Sequence, residues 1–124
     1  MTATSTALDT ALAYHKEWTE GDFDKAMTYL ADDVVCETPL GRFEGVQAFR
    51  AFLEPFAQRL IGSTLLAGFG DDETALIMYV TKTPLVPNGP AAEYMSIQDR
   101  KITHARLVFD QLPGVEARKA AGIE

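Results

Sequence analysis

The chain has 124 residues, of which 47% are hydrophobic, and carries 11 basic and 18 acidic side chains for a net charge of −7. That length sets a single domain, residues 1–124, that buries about two-thirds of its unfolded surface. The acidic balance argues against nucleic acid and anionic membranes as partners, since both require clustered Lys and Arg, and no run of the sequence approaches membrane-spanning length.

Residues 1–5 read as a loose tail, after which Ser5 or Thr6 caps a first helix with Asp9 near its positive end. Leu8, Ala11, Leu12, His15 and Trp18 recur at helical spacing, with Tyr14 on an edge of the stripe. Gly21 ends this helix and Asp22 caps the next, whose Phe23, Ala26, Met27 and Leu30 follow the i, i+3, i+4, i+7 pattern. Leu30–Asp33 reads as its end, and Val34–Thr38 as a short strand closed by Pro39. Gly41 and Gly45 punctuate the turn into a third helix marked by Val46, Phe49, Phe52, Leu53, Phe56 and Leu60. Pro55 predicts a bend or an early end near Glu54.

Beyond Gly62 the period changes from helical to alternating, and strands are expected at 63–70, 73–83, 91–98 and 102–111. In the second of these, Leu76, Met78 and Val80 are assigned to the helices and Ala75, Ile77 and Tyr79 to the outside. In the last, Ala105, Leu107 and Phe109 face in, and His104, Arg106, Val108 and Asp110 face out. Pro113-Gly114 ends that strand, leaving 115–124 as a polar tail. Helices followed by an antiparallel meander make an α+β domain with the helices on one face of a curved sheet. Val35, Ile77, Tyr79, Tyr94 and Val108 then make the outer face unusually apolar, which predicts a homodimer through the sheet.

The polar outlier is Glu93, which alternates with Ala91, Met95 and Ile97 on the core-facing side of its strand. An ionised carboxylate there is costly. Either a bulge slips the register and exposes Glu93, or Glu93 is the acid of an interior pocket, with a raised pKa. Tyr14 is its natural partner; the alternative is a core tyrosine whose hydroxyl is merely satisfied. Cys36, alone in the chain, excludes an internal disulfide and reads as a small buried hydrophobe. With an N-terminus lacking a basic patch and apolar run, it suggests the cytoplasm. No metal or cofactor is expected: His15 and His104 lack a second ligand at metal spacing, and there is no Gly-rich phosphate loop.

The run Tyr14–Asp22, the Ala31-Asp32-Asp33 triplet, the strand ending at Pro39 and Gly41, and the helix start at Gly45 resemble the nuclear transport factor 2-like superfamily. The nearest groups within it are the ketosteroid isomerases and the SnoaL-like polyketide cyclases. The resemblance implies a cone, formed by a curved, mostly antiparallel sheet around three helices, with a hydrophobic cavity inside. It implies that Tyr14 lies at the position of the isomerase's oxyanion-hole tyrosine, and Glu93 at that of its second, protonated donor. The isomerase's base is replaced here by Thr38, and the cyclases' aspartate by Leu107. A threonine hydroxyl cannot take a proton from carbon at neutral pH.

These readings lead to a cofactor-free enzyme of the isomerase, cyclase or lyase type acting on a small hydrophobic, carbonyl-bearing ligand. Tyr14 and Glu93 carry the chemistry, and Trp18, Cys36, Thr38, Phe52, Phe56, Met78, Met95, Leu107 and Phe109 line the cavity. The alternative is a protein of the same fold that binds such a ligand without changing it.

Overall fold

A computed structural model describes residues 6–122; the expected tail at 1–5 and the Ser5 cap lie outside them. Four helices, α1 (Thr6–Glu20), α2 (Phe23–Met27), α3 (Val46–Arg59) and α4 (Leu112–Ala120), accompany six strands. These are β1 (Leu30–Thr38), β2 (Gly41–Glu44), β3 (Gly62–Gly70), β4 (Thr74–Lys82), β5 (Gly89–Gln98) and β6 (Lys101–Phe109), in the sheet order β2-β1-β6-β5-β4-β3. Among the described residues only the β1–β6 pair is parallel. The register shifts along β1–β6, β3–β4 and β5–β6. Bulges of this kind increase strand bend and twist, and they curve the sheet around the helices. α1 packs against β3, β4 and β5, while α3 covers β1 and β2.

The first helix and its successor form as their sequence dictates. The side chain of Asp22 caps α2 by accepting from the amides of Asp24 and Lys25. α2 is only five residues long, however, and Leu30 already belongs to β1 rather than to a helix end. Leu30 pairs with Ile102, and the ladder resumes at Val35–His104, so Asp32 and Asp33 occupy the irregular stretch between. The segment read as a plain turn at 41–45 contains β2, a hairpin partner of β1. Gly45 then enters α3 at φ 89°, a conformation that favours glycine. Helix α3 continues through Pro55 to Arg59 instead of ending near Glu54, with Arg50 bonded to Glu54 one turn on.

The four later strands fall where alternation places them, but β4 is inverted relative to expectation. Ala75, Ile77 and Tyr79 are buried, and Leu76 and Met78 are exposed. Pairing fixes this arrangement: Ile77 stands opposite Glu93 and Met78 opposite Ala92. The outer face therefore carries Leu76, Met78, Tyr94 and Val108 in place of Ile77 and Tyr79. In β6 the expected alternation holds, with Ala105 buried and Arg106 and Val108 exposed.

The stretch expected to be a tail from 115 is instead the body of α4. Pro113 lies in its first turn, where a fixed φ suits helix entry, and Asp110 accepts from the Leu112 amide. Arg118 and Lys119 then sit at the end that favours cations. Among the described residues no helix is long and apolar enough to cross a membrane.

Candidate active site

Glu93 lies mid-strand in β5, between Ile77 of β4 and Leu107 of β6, on the face covered by α1. It is 3% exposed, and Ile77 opposite it and Met95 and Ile97 further along the same face of β5 are buried as well. No bulge exposes it; the register shift in β5–β6 falls further along, at Ser96–Ile97. Burial pushes its pKa from 4.5 up to about 7, against the opposing pull of one hydrogen bond from Tyr79. That bond runs from the Tyr79 hydroxyl to Glu93 Oε1 at 3.2 Å.

The phenol in contact with the acid is thus not the one expected. Tyr14, from α1, is 1% exposed and sets its ring edge-on to Phe49 of α3, with centroids 6.2 Å apart. Its pKa is held well above 10.0, first by burial and then by the charge of Glu93, so the two groups share one interior. Among the described residues no hydrogen bond joins Tyr14 to Glu93, and the Tyr14 hydroxyl has no partner. Tyr79 is likewise held well above 10.0 by burial, by the Glu93 charge and by their hydrogen bond. Both phenols are neutral donors at physiological pH.

Behind Tyr79 stands His15, with ring centroids 4.4 Å apart, and Trp18 meets both rings from α1. Burial lowers the His15 pKa to about 4, so this imidazole is neutral. Cys36 faces the same interior from β1; burial, then the charges of Glu93 and Glu37, pushes its thiol up to about 12, which makes it an inert filler. Glu93 is accordingly the group of this cluster that changes charge near neutrality.

Of the expected lining residues, Trp18 of α1, Cys36 of β1 and Met95 of β5 itself are buried in the core, and Phe52, Phe56 and Leu107 are half-buried against it. Phe109 is half-buried at the end of β6, opposite Ala91. Two do not belong. Met78 is 45% exposed on the outer face, a consequence of the inverted β4. Thr38 closes the β1–β2 turn, where its hydroxyl accepts from the Leu40 amide and donates to the Gly41 carbonyl. Two surface clefts, of about 240 Å³ beside Leu12, Thr19 and Ser63 and about 340 Å³ beside Thr10, Tyr29 and Arg100, contain neither Glu93 nor Tyr14. The neutral His15 imidazole lines the first of them, whereas Glu93 is buried on the inner face of the sheet.

The sequence reading missed Tyr79 and the packing role of His15. A signal for the first was available: Lys82 alternates with Leu76, Met78 and Val80, and a charge on that face marks it as the solvent side.

Comparison with known proteins gives a match of residues 11–105 to the SnoaL-like domain family. A crystal structure of a protein from Kribbella flavida is 51% identical, covering 96% of this chain and 98% of that one at a TM-score of 0.93. An NTF2-like protein of unknown function from Cytophaga hutchinsonii is 16% identical, covering 93% and 99% at a TM-score of 0.74. A candidate polyketide cyclase from Xanthomonas campestris pv. campestris is 20% identical, covering 90% and 96% at a TM-score of 0.73. The last two likenesses are of fold alone. Among curated proteins there is no match.

Proposed function

The chain belongs to the SnoaL-like domain family, and on that premise we propose that it is a cofactor-free enzyme of the isomerase, cyclase or lyase type. Its substrate is a small hydrophobic molecule carrying a carbonyl. One observation carries the reading: Glu93, the one buried carboxyl among the described residues, lies in an apolar interior with its pKa near neutrality. The candidate polyketide cyclase of the same fold supports the substrate class.

Glu93, about half ionised at pH 7, takes a proton from the carbon beside the carbonyl. The C–H electron pair forms the new C=C bond, and the carbonyl pair moves to oxygen, where the Tyr14 O–H receives the developing charge. The protonated Glu93 then returns its proton to carbon at the isomerised position, which restores the carboxylate. The half-buried Phe52, Phe56, Leu107 and Phe109 form the apolar approach. Cys36 keeps a free thiol, which suits a reducing cytoplasm.

Deuterium exchange into β,γ-unsaturated and polyketide-like ketones in heavy water, followed by NMR, tests this. The protein is expected to accelerate exchange with a rate that rises through a midpoint near pH 7, and Glu93→Gln to abolish that dependence. Normal turnover by Glu93→Gln rules out the catalytic role. The second reading, binding without conversion, is favoured by Thr38, whose hydroxyl is committed to a turn and leaves no base at that position. Stoichiometric binding of the same ketones with no exchange selects it.

The protein works as a homodimer through the outer sheet face. Phe69, Leu76 and Tyr94 are cross-strand neighbours in one row, and Met78, Ala92 and Val108 in the next. The large members are each at least 45% exposed. Beside them Glu37 accepts from Arg106 at 2.6 Å and pairs with His104 at 2.9 Å, giving the patch a polar rim. A two-fold pairing buries the same patch on both copies. Met78→Glu is expected to convert the dimer to monomer in light scattering after gel filtration; a wild type that is monomeric at high concentration contradicts the assignment.

A further inference from the structure

Two phenols share the interior with Glu93, and they are not equivalent. Tyr79 spends its hydroxyl proton on Oε1 of the acid, whereas Tyr14 makes no hydrogen bond among the described residues. The register explains the first contact. Tyr79 pairs with Ala91, two residues from Glu93 on the same face. Such diagonal neighbours lie roughly 7–8 Å apart at the backbone, a gap that a phenol spans and a shorter side chain does not. The ring is gripped by His15 at 4.4 Å and by Trp18 at 6.1 Å.

We infer that Tyr79 is the positioning residue for Glu93: it holds Oε1, and so directs Oε2, with the acid proton when one is bound, toward the ligand beside Tyr14. This rests on the role of Glu93 proposed above. A carboxylate only accepts, so Tyr79 must donate; once Glu93 is protonated, the oxygen already accepting from Tyr79 is the poorer place for the new proton. Oε2 makes no hydrogen bond among the described residues, and it becomes both the acidic donor and, after ionisation, the basic atom. Without Tyr79 the carboxyl is free to rotate, and neither oxygen is reserved.

The groups facing Glu93 are Tyr14 from α1, Cys36 from β1 and Tyr79 from β4. Its cross-strand neighbours Ile77 and Leu107 carry no charge. Burial keeps both phenols and the thiol protonated at neutral pH, so a titration near 7 at this site reports Glu93.

The test follows the isotope-labelled carboxyl carbon of Glu93 by NMR across pH in the wild type and in Tyr79→Phe, which keeps the ring. Losing the one donor to the charged form is expected to raise the midpoint from about 7 by roughly one pH unit. A second protein carries a fluorinated tyrosine at position 79; its more acidic phenol is a stronger donor, and the midpoint should fall. A merely structural role for Tyr79 changes the melting temperature and leaves the midpoint alone. Midpoints unmoved in both variants, with the wild type still near 7, overturn the assignment of Tyr79 and spare that of Glu93. A wild-type midpoint near 4.5 overturns both.

Discussion

Replacing Glu93 with glutamine is expected to stabilise the protein at pH 8 and to leave its stability nearly unchanged at pH 4. The folded protein holds a proton on Glu93 up to about pH 7, whereas the unfolded chain releases it near 4.5. Below 4.5 both states are protonated and the wild type carries no penalty. As pH rises from 4.5 to about 7 the unfolded state binds fewer protons than the folded one, so stability falls; above 7 the loss is complete. At ~1.4 kcal/mol per pH unit, the gap between 4.5 and about 7 amounts to ~3 kcal/mol. Glutamine carries no charge at any pH, and its amide oxygen still accepts from Tyr79. The variant should therefore melt higher than the wild type at pH 8, by roughly 10 °C for a domain of this size. Thermal melts of both proteins between pH 4 and 9 check this, and a difference that does not vary with pH would place Glu93 in an ordinary polar setting.

Tyr14→Phe is expected to lower the rate of ketone exchange by about a hundred- to a thousand-fold, the usual cost of losing one preorganised donor to a developing oxyanion. The fall should appear in kcat more than in KM, because the hydrogen bond strengthens as charge develops on oxygen. Stability should change little. The ring keeps its edge-on contact with Phe49, and among the described residues the hydroxyl makes no hydrogen bond that the fold would lose. This combination separates a donor from a core tyrosine: a Tyr14→Phe protein that turns over within about threefold of the wild type returns Tyr14 to the core.

Two carboxyl roles are open to the same residue, and the apolar setting is what makes both available near pH 7. An exposed glutamate is ionised and a weak base; a fully neutral one can give up a proton but cannot take one from carbon. Glu93 lies between because burial opposes ionisation and the Tyr79 hydrogen bond favours it. The cost to the folded state is the ~3 kcal/mol that the glutamine variant recovers. A functional group held at the expense of stability is a common feature of active sites.

The parts of this arrangement legible in the sequence are those where one face of an element is plainly polar. In β5, Glu93 is the lone acid among Ala91, Met95 and Ile97, and its neighbours Tyr94 and Gln98 mark the other face; the alternation placed it correctly. In β6, Arg106 alternates with Leu107 and does the same. Strand β4 has apolar residues on both faces from 75 to 80, so period alone could not orient it, and the partner of Glu93 was hidden with it. Cross-strand pairing, Ile77 with Glu93, decides the matter, and pairing is a non-local fact. Local punctuation misled in two places. Asp32-Asp33 looks like the end of a helix but sits in an irregular stretch of β1, and Pro113-Gly114 looks like a stop but opens α4. Both are residues whose backbone preferences fit more than one setting. Thr38 shows the same limit for a site residue: its position in the strand was read correctly, but its hydroxyl was already taken by the turn that follows.

The most direct measurement is the pH titration of the Glu93 carboxyl carbon in the wild-type protein, assigned by its disappearance in Glu93→Gln. A buried acid held by Tyr79 in apolar surroundings should titrate with a midpoint near 7. A midpoint near 4.5, the value of an ordinary solvated glutamate, contradicts the account.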